Sequence, residues 1–231
     1  MNGAKIKYRQ MDGCDACILG HAEKGRAIIS VNANTSERRQ KFSLAHEMGH
    51  WEWHRGQQLY CGKEDIAGSG RKRQAQSKEA TANRFAAEML MPQYMIRPML
   101  NDFSKFNMNT VTKLADEFGV SKTAMAFRLV EIDFEPSLLI AHGPDGRRWF
   151  VRSKSIGEQW FPSERLDPQS NAHDILHKGA PDDRFMSMTD GDSWFHAHGA
   201  DTVSLGEQSY STSDDEVVTL LVAKSERLMA D

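Results

Sequence analysis

His46 and His50 stand four positions apart in the run His46-Glu47-Met48-Gly49-His50, and that spacing constrains the chain more than any other feature. On an α-helix, residues four apart lie about 40° apart in azimuth and about 6 Å apart along the axis. Both imidazoles can then converge on one metal ion at about 2.0–2.1 Å. Glu47 falls beside them, where a carboxylate can take a proton from water. The run is the H-E-x-x-H pattern that metallopeptidases carry on a helix. The bland alternative is a surface helix that merely carries two histidines.

The flanking residues predict that helix independently. Arg26-Ala27-Ile28-Ile29-Ser30-Val31 is short and β-branched, as a sheet strand requires. Asn34, Thr35 and Ser36 then offer N-cap side chains, with Glu37 in the first turn. Phe42, Ala45, Met48 and Gly49 recur at three- and four-residue spacing, the mark of a half-buried helix. Arg55-Gly56 supplies a stop.

Two histidines do not complete a catalytic zinc site, which takes a third protein ligand and keeps one position open. A third histidine ten residues after the first would give the metzincin pattern, but that position is Gly56. His54 lies two turns from His46, about 12 Å along the axis, and suits a supporting hydrogen bond or ordinary packing. The remaining candidates are acids on a second helix over 77–91 (SKEATANRFAAEMLM), which Pro92 ends. Glu79, Asn83, Ala86 and Leu90 share one of its faces, with Asn83 one turn on as support; Glu88 is the rival. Spacing alone does not choose between the two glutamates, and both can be solvated surface residues.

The strings KFSLAHEMGHWEWH and EATANRFAAEMLMP together resemble the ImmA/IrrE family of bacterial and phage metallopeptidases. Its members carry an AHExxH helix and then an E-x-x-x-N-x-F-A-A-x-x-L-M-P helix, matched here by Glu79, Asn83, Phe85, Ala86, Ala87, Leu90, Met91 and Pro92. The resemblance covers roughly residues 27 to 132 and implies a zincin-like domain holding one zinc ion through His46, His50 and Glu79. Glu47 would then act as general base, with His54 or Tyr60 as a candidate second electrophile. The implied substrate is a helix-turn-helix transcriptional repressor, cut once to induce a stress-response or anti-phage defence operon. Members have more chain before the first strand than is found here, often a helix.

Cys61 lies in the loop between the two metal-binding helices, eleven residues after His50. A thiolate binds zinc strongly, so Cys61 is a candidate inhibitory fourth ligand that would keep the enzyme latent. A free thiol is the bland alternative. Related peptidases of phage-defence operons are similar, and latency would suit them. The basic run Arg71-Lys72-Arg73 sits in the same loop. It reads either as solvated charge or as a phosphate contact for single-stranded DNA, the expected activating signal of DNA damage. Trp149, Trp160 and Arg147-Arg148 could add stacking and charge.

Net charge bounds what remains: −3 over 231 residues argues against a general nucleic-acid coat. No 18-residue apolar run occurs, and MNGAKIKYRQMDG has no apolar signal region, so a cytoplasmic protein without a membrane partner is expected. Three cysteines fit a reducing compartment, and Cys14-Asp15-Ala16-Cys17 reads as ordinary thiols before a strand at Ile18-Leu19-Gly20.

The fold expected is α+β. Residues 1–135 form the peptidase domain, including a helical extension over 93–132 that packs on it by the same resemblance. Residues 111–129 have helix-turn-helix character around Gly119-Val120-Ser121, with a second helix that offers more core face than DNA-reading face. Residues 136–231 form a C-terminal α+β sensory domain, GAF-like by resemblance. It opens on a hairpin around Gly143-Pro144-Asp145-Gly146 and continues with a helix over 171–178 and strands over 193–197, 202–209 and 217–224. His173, His177, His196 and His198 lack fixed ligand spacing and read as surface histidines. Two other readings stand beside the peptidase: a zincin-fold module that captures a repressor or toxin without cutting it, and a DNA-binding regulator built on the 111–130 helices.

Overall fold

In the computed structural model the described residues are 3–54 and 73–230. They form a mixed α+β protein with two sheets, in two compact units.

The first unit comprises Met1–Pro98 and Asp116–Ser121. Its sheet has the order β1 (Ala4–Arg9), β3 (Arg26–Asn32), β2 (Ala16–His21), with β1 parallel and β2 antiparallel to the central strand. Pairing of Ile6 with Ile29 and of Ala16 with Val31 puts one set of apolar side chains on one face. On that face Ala16, Ile29 and Val31 are buried against Leu44 and Met48 of helix α1 (Glu37–Trp53). Burying Ile29 and Val31 stabilises the unit by about 1.5–3 kcal/mol each. Gly20 of β2 lies directly under the Trp51 ring, where a Cβ would come within 2.5 Å of Cζ3. A second long helix, α2 (Arg73–Leu90), packs along α1, and α3 (Gln93–Leu100) follows. The opening segment forms the strand β1, ahead of the first strand read from the sequence.

The second unit comprises Met99–Ala115 and Lys122–Asp231. Five antiparallel strands run in the order β5 (Gly146–Arg152), β4 (Ser137–Gly143), β8 (Glu216–Ala223), β7 (Ser204–Ser213), β6 (Ser187–Asp190). Leu138, Ile140, Leu205 and Leu221 bury one set of side chains with Trp160, Trp194, Phe195 and helix α6 (Asn171–Lys178). Helices α4 (Met108–Phe118) and α5 (Lys122–Glu131) are joined through Gly119, whose φ of +64° suits glycine. Their tie to the sheet is polar as well as apolar: the Met108 N–H donates to Gln208 Oε1 at 2.9 Å, and the Thr123 and Tyr210 hydroxyls lie 3.0 Å apart.

By packing, most of α4 and all of α5 group with the C-terminal sheet. No strand forms over 193–197. Gly191 instead starts a tight turn whose carbonyl accepts from the Trp194 and Phe195 N–H groups at 3.0 and 2.7 Å. The turn drives both rings into the core, and the third strand of this sheet in chain order forms earlier, at Ser187–Asp190. Among the described residues no helix is long and apolar enough to cross a membrane.

Candidate metal centre

Helix α1 begins at Ser36, whose hydroxyl accepts from the Arg39 N–H, satisfying one of the donors left over in a first turn. It ends at His54, whose N–H donates to the His50 carbonyl at 2.8 Å. Between these caps the helix turns His46, Glu47 and His50 inward, each no more than 1% exposed. Fully buried Ala82 and Ala86 mark the inward face of α2, which carries Glu79 and Asn83. Both helices belong to the first unit.

Three ligand atoms meet there. His46 Nε2 lies 3.1 Å from Glu79 Oε2, His50 Nε2 3.3 Å from Glu79 Oε1, and the two Nε2 atoms 3.0 Å apart. A tetrahedral centre with bonds of about 2.0–2.1 Å sets its ligand atoms roughly 3.3–3.4 Å apart. The observed edges match that figure within a few tenths of an ångström. Two imidazoles and one carboxylate are also a donor set that catalytic zinc takes. His46, His50 and Glu79 could thus hold a metal ion, and they are the group of described His, Cys, Asp and Glu residues close enough to do so. Glu88, the rival acid, is exposed and outside the group.

Neighbouring side chains fix the imidazoles. Asn83 Oδ1 lies 2.9 Å from His46 Nδ1, so that nitrogen donates and the Nε2 lone pair points into the centre. His50 Nδ1 lies 3.1 Å from His54 Nδ1. Burial, then His50 and Lys78, pushes His54 below its usual range, leaving it neutral at pH 7 and able to accept that hydrogen bond. For Glu79, burial raises the carboxyl, but hydrogen bonds with His46 and His50 outweigh it and bring the value down to about 2. Its carboxylate is therefore ionised across the neutral range.

The remaining sequence candidates fall elsewhere. Tyr60, Cys61, Arg71 and Lys72 lie outside the described residues, and of Arg73 only the backbone is described, at the start of α2. Cys14 and Cys17 are free, and burial, then Cys17, Asp15 and Glu47, pushes the Cys14 thiol up. Trp160 is 4% exposed, with Nε1 donating to the Arg227 carbonyl at 3.2 Å, so its ring offers no stacking face. Trp149 rests against Phe127, and Arg148 is held by Asp215 and Glu216. In α5, Arg128 is buried and paired with Glu131 at 2.6 Å, which spends its charge inside the unit. What sequence reasoning missed is the fit of glycines against neighbouring elements, at Gly20 and at Gly49 of α1. Their only sequence signal is a glycine inside a strand and another inside a helix.

No curated protein matches the chain. Among solved structures, a Mycobacterium tuberculosis transcriptional regulator has the same fold, with a TM-score of 0.63 at 14% identity. The likeness covers 95% of this chain but 65% of that one, so this chain spans under two thirds of its length. Residues 5–130 match the family described as the IrrE N-terminal-like domain. With more than half of its 231 residues matched, the chain belongs to the ImmA/IrrE family of peptidases.

Proposed function

We propose that this chain is a zinc-dependent endopeptidase that cuts a helix-turn-helix transcriptional repressor and so induces a stress-response or phage-defence operon. The observation that carries the reading is the convergence of His46, His50 and Glu79 within 4.8 Å of one another, with buried Glu47 next to His46 on the same helix. When bound there, zinc would supply a Lewis acid and lower the pKa of water towards neutrality. Glu47 accepts the proton of the attacking water and returns it to the leaving amine. Asn83 and His54 hold the two imidazoles in the tautomers that leave Nε2 free for the metal. The five-stranded antiparallel sheet of the second unit, with helices packed on it, supports its role as a sensory, GAF-like domain.

Regulation completes the proposal. Cys61 acts as an inhibitory ligand, and single-stranded DNA on Arg71, Lys72 and Arg73 relieves it in the cytoplasm; these parts rest on the sequence. Replacing Cys61 by Ser raises basal cleavage if so. The central test is a cleavage assay on the helix-turn-helix repressor encoded beside this gene, read by intact mass, with and without single-stranded DNA and with the metal removed by a chelator. Wild type should give one discrete cut, and Glu47→Gln should bind zinc and repressor without cutting. A repressor bound but intact under all conditions would instead make the chain a capture module.

A further inference from the structure

We propose that Gly49 is a positioning residue: by having no side chain it sets the α1–α2 separation at which the Glu79 carboxylate reaches the two histidines. The inference rests on the metal-site reading above. Glycine is disfavoured inside a helix because it loses the most backbone freedom on folding. Yet Gly49 lies in the middle of α1, buried, between the inward-facing Glu47 and His50. A Cβ placed on it would lie 3.0 Å from the Cα of Ala82, 3.1 Å from the Cβ of Phe85 and 3.2 Å from the Ala82 carbonyl oxygen. Two of those three atoms are helix backbone, which no rotamer change can move. Carbon atoms rest at about 3.5–4.0 Å, so α2 would have to retreat by a few tenths of an ångström.

That retreat matters because of where Ala82 sits. Glu79 is one turn before it on the same helix, within 3.1–3.3 Å of both Nε2 atoms. Metal–ligand distances tolerate only about ±0.2 Å. A displacement of a few tenths of an ångström at Ala82, carried along α2, takes up that tolerance at Glu79. His46 and His50 share one helix and keep their spacing, so the loss falls on the third ligand alone.

The test uses the full chain. Zinc affinity is measured by competition with a chromophoric chelator for wild type, Gly49→Ala, Glu79→Asp and the double variant. The cobalt-substituted proteins report ligand geometry by their visible spectra. Leu139→Ala, a buried change on β4 in the second unit, which holds none of the ligands, serves as a control for general loss of stability. Gly49→Ala should weaken zinc binding by at least about tenfold, the scale seen when a ligand loses its orientation. It should also alter the cobalt spectrum, while Leu139→Ala leaves both unchanged. Glu79→Asp withdraws the carboxylate by one methylene and should weaken binding as much. The double variant should be no worse than the worse single one, since both lose the same bond. Zinc affinity within twofold of wild type in Gly49→Ala would overturn the proposal. So would full affinity in Glu79→Asp, which tests the reach of the carboxylate even if Gly49→Ala does not fold. Failure of the wild type to bind zinc would instead sink the metal-site reading itself.

Discussion

Asn83→Leu isolates one hydrogen bond on which zinc affinity should depend. His46 is fully buried, and its Nδ1 lies 2.9 Å from Asn83 Oδ1. With zinc on Nε2, the ring proton must sit on Nδ1, and leucine gives it no acceptor. A buried donor left unsatisfied costs about 1–3 kcal/mol. At about 1.4 kcal/mol per tenfold, that is roughly 5- to 150-fold in zinc affinity. The range agrees with the 10–100-fold typical of groups that support a metal-binding histidine, an order-of-magnitude figure of about the same size. Without metal the imidazole can change tautomer, so the loss should appear in zinc affinity more than in the melting temperature of the metal-free protein. Chelator competition and thermal melts on the same samples separate the two. Asn83→Asp keeps the acceptor and should keep the affinity. If Asn83→Leu binds zinc within twofold of wild type, or if its melting temperature falls while affinity holds, the orienting role is refuted.

Further expectations concern the rest of the fold. Burial, opposed by the Thr123 hydrogen bond and assisted by Glu216 and Asp182, pushes the Tyr210 phenol up to about 12 from 10.0. A folded value above the unfolded one means the contribution is fully present below pH 10 and lost as pH rises through about 12. Two units correspond to about 3 kcal/mol. Urea unfolding between pH 9 and 12 should show that loss in wild type and a flatter profile in Tyr210→Phe; identical profiles would contradict it. Gly20→Ala would set a Cβ 2.5 Å from Cζ3 of Trp51, a ring only 5% exposed. Displacing that ring should cost about 1–3 kcal/mol and change the near-ultraviolet dichroism. An unchanged spectrum and melting temperature would mean that β2 and α1 are not in the contact described.

How much was legible follows from how local each signal is. Helix α1 was readable because its cap at Ser36, its apolar spacing and its histidine pair all lie within twenty residues. The end of α2 was readable from Pro92, and the hairpin of β4 and β5 from Pro144-Asp145-Gly146. Strand β1 carried an equally local signal, the alternation Ala-Lys-Ile-Lys-Tyr-Arg, but its apolar residues are too few to stand out until Ile6 is seen paired with Ile29. The strand expected over 193–197 failed for the opposite reason. Trp194 and Phe195 have high strand propensity, yet propensity does not say whether a large ring is buried by a pleat or by a turn, and Gly191 decides for the turn.

Glu79 and Glu88 show where local reasoning ends. Both stand on the same helix, nine positions apart, and in the sequence helical spacing does not separate them; only the family resemblance of the run that starts at Glu79 does. What separates them is which face of α2 meets α1, and that is fixed by Ala82 and Ala86, small residues that a composition count treats as neutral. The same holds for α4 and α5. Their helix-turn-helix spelling is local, but whether α5 faces a groove or a sheet depends on Tyr210 and Gln208, about a hundred residues away. Arg128 would be read as a surface charge by its type alone, yet it is buried and paired with Glu131. Ligand types are therefore written locally in this chain, whereas the pairing of helices that brings a third ligand to two histidines is written in Gly49, Ala82 and Ala86, small residues whose own chemistry signals no ligand.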